Sequence, residues 1–269
     1  MMYRLWTGLL LVLLPIFTFS QNQTHRAFRP GERVEYKAYY NWGFIWIHAG
    51  NVRFTVKQEQ HNNQNTLLFN AYGRSLKSYD WIFKVRDHFQ SVVREDDLSP
   101  LDFIRETYEG GYAVDNRYIF DHNRRKIYSQ VDNSKEDYQE DTLDFNPPVY
   151  DVLTAIYHAR TLDFSRYSIN EKIPLSLIID NEIYELYLRY QGKERIKIPK
   201  DRHYNCIKFS AMLVEGTIFR GGEHLSVWVT DDKNRIPVMV KAKILVGSVK
   251  AIIESTHKLK HPSVLSEQY

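Results

Sequence analysis

Residues 228–253, WVTDDKNRIPVMVKAKILVGSVKAII, limit most sharply what this chain can become. Val238, Val240, Ala242, Ile244 and Val246 share one parity of an extended strand, and Lys241 and Lys243 share the other. Alternation at period two buries one face and leaves the other in water. A helix would scatter the lysines differently and waste the β-branched residues, which favour strands. Upstream, Leu225, Val227 and Val229 alternate with Ser226, Trp228 and Thr230. Asp231, Asp232, Lys233, Asn234 and Arg235 lie between the two runs, and Asp and Asn bond to their own backbone in turns. Pro237 has no N–H to give, which places it at the start of a strand or on an edge. Gly247 interrupts the second run and the parity resumes through Ser248, Lys250 and Ile252. The expectation is one long strand, bulged or bent at Gly247.

The same alternation recurs along the chain. Strands are expected over 33–41, 52–56, 67–73, 102–108, 116–121, 126–131, 173–179, 183–190, 194–199 and 206–214, separated by turn residues. Residues 42–47 are apolar on both parities, so they are buried on both faces or form an aromatic patch. In residues 75–94, Trp81, Phe83, Val85, Asp87, Phe89, Ser91 and Val93 share a parity. An aspartate among inward aromatics calls for a partner, and one from another strand is expected. Residues 132–148 read as a polar loop. Only residues 150–162 show helical spacing, through Val152, Leu153, Ile156 and Tyr157, with Asp151 placed to cap the first turn. The fold class is therefore mostly β: a single curved or barrel-like antiparallel sheet with one helix packed against it.

Three stretches resemble a known family. Trp228-Val229-x-Asp231-Asp232-x-x-Arg235-x-Pro237-Val238 followed by Gly247-Ser248-Val249-Lys250-Ala251 resembles the C-terminal part of the DUF3108 family, exported bacterial proteins of uncharacterised function. Gly31-Glu32-x-x-x-Tyr36 with Ala49-Gly50, and Asp151-x-Leu153-Thr154-Ala155-x-Tyr157-x-x-Arg160, are similar to it as well. The resemblance implies a curved or barrel-like antiparallel β fold and carries over no catalytic residue.

Residues 1–20 pair Arg4 with an apolar run ending in small residues, the pattern of a secretory signal peptide. The run is shorter than the about 20 apolar residues of a membrane span. We expect residues 21–30 to be a linker, 31–255 a single β-rich domain, and 256–269 a polar, frayed tail. The location is then the periplasm or cell exterior, with no transmembrane segment after cleavage. The formal charge of +3 falls to +2 once Arg4 is removed, too little to draw the chain to nucleic acid. A single cysteine, Cys206, leaves no internal disulfide, and its mid-strand place reads as a buried, inert thiol.

The search for chemistry yields little. Ten histidines include no H-E-x-x-H, and His257 with His261 fall near the tail, so no metal and no cofactor is expected. No G-x-S-x-G is present, and the glycine pairs at 110–111 and 221–222 read as turns. Asp80 and Asp87 lie on opposite parities, while Asp231 and Asp232 read as turn formers. Lys193, Arg195 and Lys197, with Lys200 and Arg202, form a cationic strip. It is either a solvated edge strand or a contact for anionic glycan or lipid headgroups. Aromatic residues make up 14% of the chain, which suits both a sheet core and a ligand-lined concavity. Trp42, Trp46, Trp81 and Trp228, with Asp87, are the candidate lining residues for an apolar or glycan ligand, or for a cell-envelope partner. The rivals are a carboxylate-based hydrolase of envelope polymers and a structural assembly subunit.

Overall fold

The fold is taken from a computed structural model describing residues 26–42, 45–146, 148–214, 221–244 and 247–265. The proposed signal peptide lies outside the described residues. Fifteen strands form one sheet. The first eight are β1 (Arg33–Trp42), β2 (Ile45–His61), β3 (Gln64–Ser75), β4 (Val85–Arg94), β5 (Pro100–Glu109), β6 (Tyr112–Asp121), β7 (Lys126–Asn133) and β8 (Gln139–Asp144). After β9 (Val149–Tyr150) and the helix α1 (Val152–Ala159) come β10 (Lys172–Ile179), β11 (Glu182–Ile198) and β12 (Arg202–Leu213). Then follow β13 (Gly222–Thr230), β14 (Pro237–Lys243) and β15 (Ser248–His257). Their spatial order is β8-β7-β6-β5-β4-β3-β2-β1-β15-β14-β13-β12-β11-β10-β9. All neighbours are antiparallel except β9 and β10. Two meanders are thus joined at mid-sheet by β1 and β15, with Tyr36 opposite Ile253 and Ala38 opposite Ala251.

The expected antiparallel sheet with one helix is borne out, but the sheet is not closed, because the terminal strands β8 and β9 do not pair. It curls through side-chain contacts instead. The tip of the β10–β11 hairpin reaches β6 and β7: Asn116 Nδ2 donates to Asp180 Oδ1 at 2.9 Å, the Asp180 amide donates to the Tyr118 hydroxyl at 3.0 Å, and Ser129 Oγ donates to Asn181. Phe69, Phe103, Tyr118, Ile127 and Ile178 share one core cluster, which spans both meanders.

Helix α1 is held inside this curl. Asp151 Oδ1 accepts from the amides of Leu153 and Thr154, and Oδ2 accepts from Ser91 Oγ on β4 at 2.8 Å and Thr154 Oγ1 at 2.6 Å. This cap satisfies helix donors that burial would otherwise orphan. Tyr157 stacks on Phe69 with centroids 3.9 Å apart. Just past the helix, Arg160 is buried and makes two bonds to Glu32, at 2.7 and 3.2 Å. It also donates to the Asn234 carbonyl at 3.1 Å. Asp232 caps the turn before β14, accepting from Thr230 Oγ1 and from the amides of Asn234 and Arg235.

Several expectations are corrected. Gly247 (φ +83°) belongs to a hairpin that separates β14 from β15, so the supposed long strand is two antiparallel strands. Residues 132–148 contain β8, a mostly exposed polar strand whose one apolar residue, Leu143, packs against the core, too little alternation to read as a strand. Residues 76–84 leave the sheet as a turn, because Asp80 accepts from Ser75 Oγ and pairs with Arg86 at 2.6 Å. Strand β11 runs unbroken across Gly192, where its register with β12 shifts. The described parts of the two proposed loose ends, residues 26–30 and 256–265, carry packed side chains. Ala27, Phe28 and Leu265 are buried, and His261 and Pro262 accept bonds from the Asn234 side chain.

Candidate functional site

At the end of the sheet where β1 turns into β2, β3 into β4 and β14 into β15, the inward positions are small. Ala38 faces Gly50, Gly50 faces Ser75, Val52 faces Gly73, and Gly73 faces Asp87. These side chains leave a cavity of about 570 Å³, walled by Tyr40, Ile47, Val52, Ile82, Phe83, Val85, Ile244 and Val249. Its volume is within the about 300–1,000 Å³ of small-molecule sites. The two glycines serve different ends. A Cβ at Gly50 would lie 2.5 Å from the Arg74 carbonyl oxygen, so the backbones meet too closely for any side chain. A Cβ at Gly73 would make only ordinary contact, 3.4 Å from Asp87 Oδ2, so glycine there contributes empty space.

Asp87 is the acid on this wall. Burial pushes its carboxyl up to about 7, helped by the nearby Glu109 charge and opposed by Arg105 and the Tyr108 backbone. Its Oδ1 is buried without a hydrogen-bond partner, so the cross-strand partner expected from sequence is missing for that oxygen. Burial also raises Glu109, with Arg105 opposing. Asp87 faces Thr107 and Val85 faces Glu109, which sets the two acids on one side of β4 and β5. Among the described residues no cluster of His, Cys, Asp or Glu could hold a metal ion.

The other side of the same strands carries a polar groove of about 660 Å³. Its charges are mostly spent on one another, Arg53 with Glu35 at 2.9 Å and Lys37 with Glu254 at 3.0 Å, and His88 Nδ1 lies 3.0 Å from Glu106. His88 also stacks on Tyr72, at 4.3 Å between centroids.

Of the five residues proposed as lining, the structure sets only Asp87 in the cavity wall. The Trp42 side chain lies outside the described residues. Trp46 lies beneath Lys250 Nζ at 4.0 Å, with Lys241 at 5.9 Å. Trp81 is 82% exposed, its indole N–H bonded to the Ser78 carbonyl, next to the cavity-lining Ile82 and Phe83. Trp228 is 8% exposed, donates to Glu194 at 3.1 Å and belongs to the core beneath β13. In the cationic strip, Lys193 pairs with Asp231 at 2.7 Å and Lys197 with Asp201 at 2.5 Å, while Arg195 is exposed. The strip is not an edge strand, since β11 lies between β10 and β12. Cys206 is fully buried and its thiol is pushed up to about 12, chiefly by burial. Sequence reasoning missed Gly73, Ile82, Phe83 and Val249. The one available sign was the row of small residues at inward parity.

The comparisons with known proteins agree with this architecture. The model of the family described as "Protein of unknown function (DUF3108)" matches residues 35–254. No curated protein matches the chain. A crystal structure of a beta-barrel-like protein of the domain of unknown function DUF1849 from Brucella abortus superposes with a TM-score of 0.50 at 9% identity. The match covers 84% of this chain and 96% of that one, and it bears on fold alone.

Proposed function

The chain belongs to the DUF3108 family, and from that premise we propose that it is an exported, non-catalytic β protein which holds an apolar, lipid-like ligand at the end of its curled sheet. The carrying observation is the cavity of about 570 Å³ whose wall is aliphatic and aromatic apart from a few polar groups, Asp87 among them. Apolar walls with few polar groups are the usual make-up of small-molecule sites. At about 30 Å³ per water-sized group the space takes on the order of 20 such groups, enough for one acyl chain and little more.

The test is uptake of N-phenyl-1-naphthylamine by the purified protein, read as fluorescence enhancement and displaced by long-chain lipids. Gly73→Leu should abolish the enhancement while the melting transition stays in place, because that position tolerates a Cβ. Unchanged uptake in Gly73→Leu, or none in the parent chain, would overturn the reading. Asp87 and Glu109, both raised and on one face, favour a hydrolytic role as second reading. Turnover of a glycan polymer that disappears in both Asp87→Asn and Glu109→Gln would establish that role instead.

A further inference from the structure

We propose that the rim of this cavity docks on an anionic lipid bilayer, a surface from which an apolar ligand could be taken or to which it could be given. The proposal deepens the cavity reading by naming the partner of the same site, although docking itself can be measured without any ligand.

Two observations meet at the rim. First, large apolar side chains stand in water there: Trp81 is 82% exposed, Ile45 67%, Ile82 53% and Phe83 44%. Ile45 opens β2 two residues before the cavity-lining Ile47, and Trp81 precedes Ile82 and Phe83 on the segment that walls the cavity. Clustered exposed apolar groups mark an interaction site, and Trp in particular suits the headgroup level of a membrane. Polar loop residues would have served if this end simply faced solvent.

Second, the charge around these groups is positive, and although Lys84 lies over the Tyr108 ring at 5.2 Å and Lys250 over Trp46 at 4.0 Å, these lysines are held by rings rather than by carboxylates. Lys77 and Lys84 bracket Trp81 along the chain, Lys241 on β14 and Lys250 on β15 stand over the Trp46 ring, and Lys243 ends β14. Among the described residues none of these five lysines makes a salt bridge. The acid on the same segment, Asp80, is already paired with Arg86 at 2.6 Å. Apolar tips flanked by lysines outside any salt bridge complement a bilayer with anionic headgroups, since the tips enter the interface and the lysines stay at the phosphates.

The experiment is co-sedimentation of the chain from residue 21 onward, which contains every described residue, with two vesicle types. One is phosphatidylcholine alone and the other is phosphatidylcholine containing phosphatidylglycerol. Pelleting is expected with the second, several-fold above the first, and should fall as salt is raised. Trp81→Ser and Lys241→Glu/Lys243→Glu should each remove most of it while leaving N-phenyl-1-naphthylamine uptake in solution intact. Equal pelleting with both vesicles, pelleting indifferent to these substitutions, or a dimer in sedimentation velocity that Trp81→Ser dissolves would overturn the proposal. Loss of probe uptake with docking retained would sink the cavity reading and leave the docking standing.

Discussion

Asp87 shows how burial can set the chemistry of a single side chain. The unfolded chain releases this proton near the ordinary 3.8, whereas the folded carboxyl holds it up to about 7. Between those values the folded state binds more protons than the unfolded one, so the group's contribution to stability is lost as pH rises through that window. Each unit of difference is worth about 1.4 kcal/mol. Asp87→Asn, which mimics the protonated form, should therefore exceed the parent by on the order of 2–4 kcal/mol at pH 8 and differ little from it at pH 4. Urea unfolding of both proteins at the two pH values measures this, and an equal gap at both would contradict the assignment. The parity of residues 81–93 was legible in the sequence and placed Asp87 inward. The missing partner was not, because it depends on what β5 brings across from it.

At the scale of elements, two residues of the family resemblance, Glu32 and Arg160, take part in a joint. Glu32 before β1, Arg160 after α1 and Asn234 in the turn before β14 come from distant parts of the chain and meet in one buried network. The Arg160 guanidinium also lies over the rings of Phe28 and Tyr157, at 5.3 and 5.5 Å. Removing one partner of a buried pair strands the other charge, at a cost of about 3–5 kcal/mol. Arg160→Met should lose about that much stability in urea. The double variant Arg160→Met/Glu32→Leu should recover a good part of it, since no bare carboxylate remains. The helix and its Asp151 cap could be read from spacing, but the use of its far end to hold three segments together could not. Glu32 and Arg160, two residues that carry the family resemblance, are here spent on holding the fold.

Over the whole molecule, the two meanders meet at β1 and β15, and the chain on either side of that seam is packed down. Ser263 Oγ donates to Asp232 at 2.8 Å, the His261 amide donates to Asn234 at 2.9 Å, and Leu265 is buried. Deleting residues 258–269 should cost on the order of 5 kcal/mol, about one buried leucine plus four hydrogen bonds. A melting curve of the truncated chain that overlays the parent's would show these contacts to be idle. By itself the amino-acid order determined the period-two strands, the Asp-rich turn at 231–235, the capped helix and the antiparallel class, since each follows from neighbours along the chain. A curved sheet was expected from the resemblance, but tertiary structure alone decided that it stays open, where its cavity lies and that the acid within it is raised. Alternation says which side of a strand is covered, but not how tightly the sheet bends. Ala38, Gly50, Gly73 and Asp87 become neighbours only once four strands lock in register.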